Sequence, residues 1–235
     1  AWNIPNSVAL TNNARVRVVD VANGNVLGDS VDFKLRGGLT LTAPTAGVTW
    51  TASSTNNIAW NFGGAIATVN VFYDLNDLDG DQWLPVLPVS IKGQTGSSGA
   101  STIEWAIPSI VTNNARVKIE DAADAVNTFD VSPVFNVGAQ FDITAPENGV
   151  DVFAENTTTN ITWNTVKGTG ISKVHLQYSN NSEDATPTWI DITDPTPTTG
   201  GTTNTGTFAW NPIPRALADI STTTHRVRIL QHDPP

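Results

Sequence analysis

The chain has 235 residues, 39% of them hydrophobic, with eight Trp and eight Phe; this is apolar material for one large or two ordinary cores, but no run nears the roughly 18 to 20 continuous apolar residues of a membrane span, and no membrane insertion is expected. Twelve Lys and Arg against 22 Asp and Glu leave a net charge of −10, which repels nucleic acid and anionic membrane surfaces at long range and removes nucleic acid from the expected partners. Cys and Met are absent, which excludes a disulfide framework, thiol catalysis and Cys-ligated zinc.

In chain order, Ala1-Trp2 opens without a basic or apolar leader, so any secretion signal is expected upstream or already removed. Trp2-Asn3-Ile4-Pro5 and Thr11-Asn12-Asn13-Ala14-Arg15-Val16-Arg17-Val18 follow, then the strand Ser30-Val31-Asp32-Phe33-Lys34-Leu35. Past Arg36-Gly37-Gly38 come Leu41-Thr42-Ala43-Pro44 through Gly47, Asn57-Ile58-Ala59-Trp60-Asn61, Val69 to Tyr73, and a polar loop ending at Trp83. Trp105-Ala106-Ile107-Pro108 and Thr112-Asn113-Asn114-Ala115-Arg116-Val117-Lys118-Ile119 repeat the two opening motifs, and a closing strand is expected near Val131 to Val137. After Asn136-Val137-Gly138-Ala139 the series restarts with Ile143-Thr144-Ala145-Pro146 through Gly149, Asn160-Ile161-Thr162-Trp163-Asn164, Val174 to Tyr178, a polar loop and Trp189. Trp210-Asn211-Pro212-Ile213-Pro214 and Thr224-His225-Arg226-Val227-Arg228-Ile229 end it.

The period is about a hundred residues, one domain per repeat and far longer than a solenoid unit or propeller blade. Within each unit Val174, Leu176 and Tyr178 alternate with His175 and Gln177, and Val117 and Ile119 with Arg116 and Lys118, which predicts half-buried antiparallel strands. No segment carries helical spacing, and Pro and Gly punctuate the short runs. The predicted fold is all-β: tandem immunoglobulin-like β-sandwich domains, nearly helix-free and over a third strand. Residues 1–37 read as the C-terminal strands of a partial unit, 38–137 as a complete sandwich and 138–235 as a sandwich lacking its last strand. Short joints leave little reach, so neighbouring units are expected to stack end to end. Trp60 and Trp163 are predicted core residues whose truncation to Ala costs about 3 to 5 kcal/mol each.

The order of T-A-P-x-x-G, N-I-x-W, a strand ending in Tyr, a polar turn with Trp, then W-x-I-P and R-V-R-I resembles tandem bacterial Ig-like surface-protein repeats related to the Ig-like domain of fungal cell-wall glucan-assembly proteins, over nearly the whole chain. The resemblance implies an extracellular, cell-surface location and a spacer, adhesive or wall-component role. Low charge, acidity and abundant Thr, Asn and Gly resemble bacterial or archaeal surface proteins in composition.

Five oxygen-bearing side chains crowd one loop: Asp74, Asn76, Asp77, Asp79 and Asp81, with Gly80. Calcium takes six to eight hard oxygens, so this loop is the candidate calcium site, although the EF-hand register fails because Leu75 and Val86 fall where oxygen ligands belong. The competing reading is an acidic hairpin loop, since the matching loop Ser179 to Asp184 is less acidic; the fold requires no cofactor. Asn156, Asn160 and Asn180 open N-x-S/T triplets and are the candidate glycosylation sites. The Tyr178 to Trp189 stretch resembles the Asp-box turn of sialidase-like propellers, a structural turn that implies no glycosidase chemistry. Arg15 with Arg17, Arg116 with Lys118, and Arg226 with Arg228 form cationic pairs on the outward faces of equivalent strands, either a basic stripe for an acidic partner or a solvated face with weak ion pairs. The Thr-rich run from Asp194 to Thr207 reads as a long exposed loop, too polar for a core. Three scattered His and no nucleophile, zinc or phosphate motif name no catalytic residue.

The expected function is a structural and interaction segment, a stalk, surface layer or filament, whose partners are copies of itself or other surface proteins. The alternatives are an adhesin that binds protein or polysaccharide through loops or accessible aromatics, Trp50 and Trp83 being the ones to inspect, and an accessory region of a secreted hydrolase. The incomplete first and third units read as a segment of a longer array; in the competing version, Ser30 to Leu35 of one copy completes the third unit of the next.

Overall fold

The computed structural model describes residues 3–5, 8–86, 91–92, 98–147, 156–197, 199–214 and 225–232, so Trp2, Gly149 and Thr224 of the recurring motifs lie outside the described residues. Of those described, 52% lie in strands and 2% in helix, the latter a single 3-10 turn at Asp77–Asp79. The alternating Val, Ile, Phe and Trp positions have become strands, and Gly, Pro and Asn the turns between them. By compactness the chain forms two units, the first of Ala1–Val48, Thr55–Trp105 and Asn114–Phe135, the second of Thr49–Ser54, Ala106–Asn113 and Asn136–Pro235.

The first strands are β1 (Thr11–Ala14), β2 (Arg17–Val19), β3 (Leu27–Asp29) and β4 (Phe33–Leu35). β1 pairs antiparallel with β4, and β2 with β3, as one long hairpin. Next come β5 (Gly38–Ala43), β6 (Thr49–Thr51), β7 (Thr55–Gly63), β8 (Thr68–Asp74), β9 (Leu84–Pro85), β10 (Ile91–Lys92), β11 (Ser98–Ala106), β12 (Thr112–Asp121), β13 (Phe129–Val131) and β14 (Phe135–Gly138). One sheet has the order β11-β7-β5; the other has β10-β8-β12-β14-β6, with β13 also on β12 and β9 on β8. The β14–β6 pairing is parallel. A three-stranded sheet of β5, β7 and β11 facing a sheet closed by a parallel edge is the immunoglobulin-like sandwich. Its core alternates: Ile58, Trp60 and Phe62 from one sheet, Val69, Val71, Val117 and Ile119 from the other, all buried. Tyr73 of β8 meets Trp105 of β11 at 5.0 Å between ring centroids, and Phe135 meets the same Trp105 edge-on at 6.5 Å.

The later strands, β15 (Gln140–Ala145), β16 (Thr159–Lys167), β17 (Lys173–Ser179), β18 (Ile190–Asp191), β19 (Thr202–Thr203), β20 (Thr207–Trp210) and β21 (Arg226–Gln231), reproduce this plan. Their sheets are β15-β16-β20, and β18-β17-β19 with β21 on β17. Register agrees between the copies: Leu41 opposes Trp60 as Ile143 opposes Trp163, and Val117 and Ile119 oppose Tyr73 and Val71 as Val227 and Ile229 oppose Tyr178 and Leu176. The second core comprises Ile161, Trp163, Val174, Leu176, Tyr178, Trp210 and Ile213.

One core position is solved in two ways. The Trp163 indole N–H donates to Asn204 Oδ1 at 2.8 Å, and the same carboxamide donates to Thr165 Oγ1 at 3.1 Å. The Trp60 indole nitrogen is buried with no hydrogen-bond partner among the described residues. Counting back from Trp105 and Trp210, Gly99 stands at the place of Asn204, and Phe62 stands at the place of Thr165. A Cβ on Gly99 would lie 3.3 Å from the Phe62 ring, so an aromatic ring fills the space that the second copy gives to an amide and a hydroxyl.

Candidate functional site

In the acidic loop, Asp74 is buried and closes the loop on itself, accepting from the Asn76 N–H at 2.9 Å and the Gln82 N–H at 3.1 Å. Asn76 caps the 3-10 turn by accepting from the Leu78 N–H at 3.4 Å. Asp77 pairs with the Arg116 guanidinium, Asp81 lies 3.6 Å from it, and Asp79 is exposed. The fold thus gathers all five predicted oxygen donors on one loop but turns Asp77 and Asp81 toward Arg116 instead of a common point. Among the described residues no group of three or more acidic or His side chains is placed to share a metal.

The cationic pairs are largely engaged within their own sheets. Arg15 pairs with Asp32, and Arg17 donates twice to Asp29, at 2.6 and 2.8 Å; these bonds raise the Arg17 pKa and hold that of Asp29 below its usual value. Lys118 sits 2.8 Å from Glu120, with the Phe72 and Phe129 rings 5.7 and 5.5 Å away. Arg228 lies over the Trp189 ring at 4.1 Å and donates to Gln177 Oε1 at 2.7 Å; burial lowers its pKa, partly offset by Asp191. These contacts match the solvated-face reading, in which a cation is held by a neighbour and an aromatic ring.

The outward face of the second copy holds a polar chain that sequence reasoning missed. Gln177 Nε2 donates to Asp191 Oδ1 at 2.6 Å, and that oxygen also receives His175 Nε2 at 2.8 Å. The Leu176 N–H donates to Thr193 Oγ1 at 3.0 Å, and the same hydroxyl lies within hydrogen-bond distance of His175 Nδ1, also at 3.0 Å. Asp191 is held below its usual pKa, first by Gln177 and then by His175. His232 brings its ring within 6.0 Å of His175. Two of the three His residues of the sequence, His175 and His232, therefore meet, the available signal being the alternation of His175 and Gln177 opposite the Val-Leu-Tyr face. Hydroxyl, imidazole and carboxylate stand in relay order, but Thr193 is buried and already accepts a backbone bond, so the arrangement ties β17 to β18 and the loop after it.

Asn156 and Asn180 are exposed beside turns, Asn156 with φ 55°, whereas Asn160 is exposed within β16 and paired with Ala209. The Thr-rich run is less loop-like than expected: Thr202–Thr203 forms β19 on β17, and Lys173 Nζ donates to the Thr199 and Gly200 carbonyls at 3.2 and 3.1 Å. Backbone pairing needs no apolar side chain, which is why the Thr content misled. Of the described Trp residues, Trp60, Trp105, Trp163 and Trp210 are buried, and Trp50, Trp83 and Trp189 half-buried.

The hairpin β1–β4 repeats the serine and turn-aspartate bonds of β12–β14. Ser30 Oγ accepts from the Val16 N–H at 3.0 Å while the Ser30 N–H donates to Val16 O at 2.9 Å; Ser132 does the same to Val117 at 3.0 and 2.8 Å. Asp20 Oδ1 accepts from the Ala22 N–H at 2.8 Å, and Asp121 Oδ1 from the Ala123 N–H at 2.9 Å. The faces differ: Val117 and Ile119 are 0% exposed, whereas Val16 and Val18 are 37% and 71% exposed, and Phe33 and Leu35 are half-buried where Phe135 and Val137 are buried.

No family model matches the chain, and no curated protein matches it. Solved structures of similar outline include the Clostridium thermocellum CbhA fibronectin(III)-like modules, 18% identical over 74% of this chain and 79% of that one with a TM-score of 0.24. The teleost fish polymeric Ig receptor ectodomain is 7% identical over 76% and 87%, with a TM-score of 0.30, and DIP-gamma IG1+IG2 is 8% identical over 84% and 92%, with a TM-score of 0.29. At such scores these likenesses carry no argument of their own, and the immunoglobulin-like fold rests on the strand order and register above.

Proposed function

We propose that this chain is a structural and interaction segment of an extracellular surface protein, made of Ig-like repeats of the tandem bacterial kind, whose partners are further copies of the same repeat or other surface proteins. The observation that carries the reading is the recurrence of one sandwich plan along the chain: Trp60 and Trp163 hold the same register, and Ser30 and Ser132 bind their valines in the same way. Val16 and Val18 present exposed apolar side chains at the places that Val117 and Ile119 hold inside a sandwich core, which supports an apolar protein partner there. We assign no catalytic role. The polysaccharide reading draws less support, because no described Trp is fully exposed and Trp189 already carries Arg228 on its ring.

Light scattering over a concentration series tests this. Wild type is expected to self-associate or to capture added repeat protein, and Val18→Asp, at a solvent-facing position, to lose it. Equal monomeric behaviour of both proteins, with polysaccharide binding that survives Val18→Asp, would favour the adhesin instead.

A further inference from the structure

Both compact units contain the same small contact. In the first, Gly64 follows β7 with φ +87°, and a Cβ there would lie 3.0 Å from both Gly37 Cα and Leu10 Cδ2. In the second, Gly168 follows β16 with φ +101°, and a Cβ there would lie 2.9 Å from Val111 Cγ1 and 3.3 Å from Ala139 Cα. The three participants match in the repeat. Leu10 and Val111 each immediately precede the Thr-Asn-Asn-Ala strand, Gly37 and Ala139 each lie just ahead of the strand that opens the next sheet, and the two glycines each end the strand bearing the core Trp. Around Gly168 the backbone is also joined: Thr169 N–H donates to Ser109 O at 2.7 Å, Val111 N–H donates to Thr169 O at 3.4 Å, and Ile110 bridges Thr169 in parallel.

A positive φ and a close backbone approach each favour glycine, and both conditions hold at both sites. Two occurrences with the same three roles are unlike incidental packing, since each role could drift independently. We infer that the turn glycine and the small residue ahead of the next sheet form a socket for the apolar residue before the Thr-Asn-Asn-Ala strand, and that the partner this socket takes is the preceding copy of the repeat. The inference rests on the reading of the chain as a repeat segment. It adds the device that fixes one repeat to the next, with apolar contact where Leu10 seats and apolar contact plus main-chain bonds where Val111 seats.

Limited trypsin digestion at Arg36, in the stretch that the first socket holds, reads the seating directly. Leu10→Asp places a charge in the socket and is expected to speed cleavage after Arg36 at least about tenfold, with Leu10→Ala intermediate and Val18→Asp, on the same hairpin but outside the socket, at the wild-type rate. Hydrogen exchange at the Thr169 amide reads the second socket: Val111→Ala is expected to raise it at least about tenfold while Leu176 keeps its protection. Wild-type cleavage in Leu10→Asp together with unchanged exchange at Thr169 in Val111→Ala would overturn the inference. The self-association lost in Val18→Asp is a separate readout, so failure of the socket leaves the interaction reading standing, and the reverse.

Discussion

Asn204→Ala is the sharpest test of how the second core is held. The substitution removes the acceptor of the Trp163 indole N–H at 2.8 Å and the donor to the Ile171 carbonyl at 3.3 Å. Trp163 is 3% exposed, and a buried donor left without a partner costs about 1 to 3 kcal/mol. The first copy supplies an internal control, because Trp60 is buried with no indole partner among the described residues, yet Gly99 and the Phe62 ring fill the space around it. Asn204→Gly combined with Thr165→Phe rebuilds that apolar solution and should recover part of the loss, giving less destabilisation than the sum of the single variants. Denaturant unfolding followed by Trp fluorescence, with exchange at the Trp163 and Leu176 amides to assign the transition, measures both quantities. A loss below about 0.5 kcal/mol in Asn204→Ala, the scale of an ordinary surface change, would refute the claim that the indole bond matters.

The remaining expectations concern the other candidate sites. Arg116→Gln removes the cation that Asp77 and Asp81 share, so calorimetry should find tighter calcium binding in the variant than in wild type; equal heats, or heats that survive Asp79→Ala and Asp81→Ala, rule the loop out. Expressed in a host that glycosylates Asn, the chain should carry glycan at Asn156 and Asn180 before Asn160, which is committed to β16; peptide mass spectrometry showing occupancy at Asn160 alone contradicts this. Asp191 has a folded pKa below the unfolded value, so its contribution is full above about pH 4 and is lost as pH falls through the folded pKa. Asp191→Asn should therefore flatten the acid limb of the stability curve, and an unchanged limb in a thermal-denaturation series would exclude the Gln177 and His175 bonds as its source.

Much of the sandwich was legible because its determinants are local and repeated. Alternation in Val174 to Tyr178 and Val117 to Ile119 sets which face is buried, and that face fixes register, so the matching oppositions at Trp60 and Trp163 follow. The partners of polar groups were not legible, since they depend on which loop returns to which strand. Asn204 reaches Trp163 across a long stretch of chain, and His175 meets Asp191 only because β18 folds back on β17. The acidic loop shows the same limit in reverse: its composition was plain, but the direction of Asp77 and Asp81 is set by Arg116 on another strand.

The serine bridge at Ser30 and Ser132 bears on the order in which the chain folds. Each hydroxyl and its own amide grip a single valine across the hairpin, and each turn aspartate caps its own loop, so most of the bonds that shape the hairpin span about two dozen residues or fewer. Loops of that size close at small entropic cost, whereas the pairing of β12 with β8 waits on a longer excursion of chain. The first two repeats then each carry a fast-forming nucleus near their C-terminal end, and the slower sheet assembles on a template that already has its register.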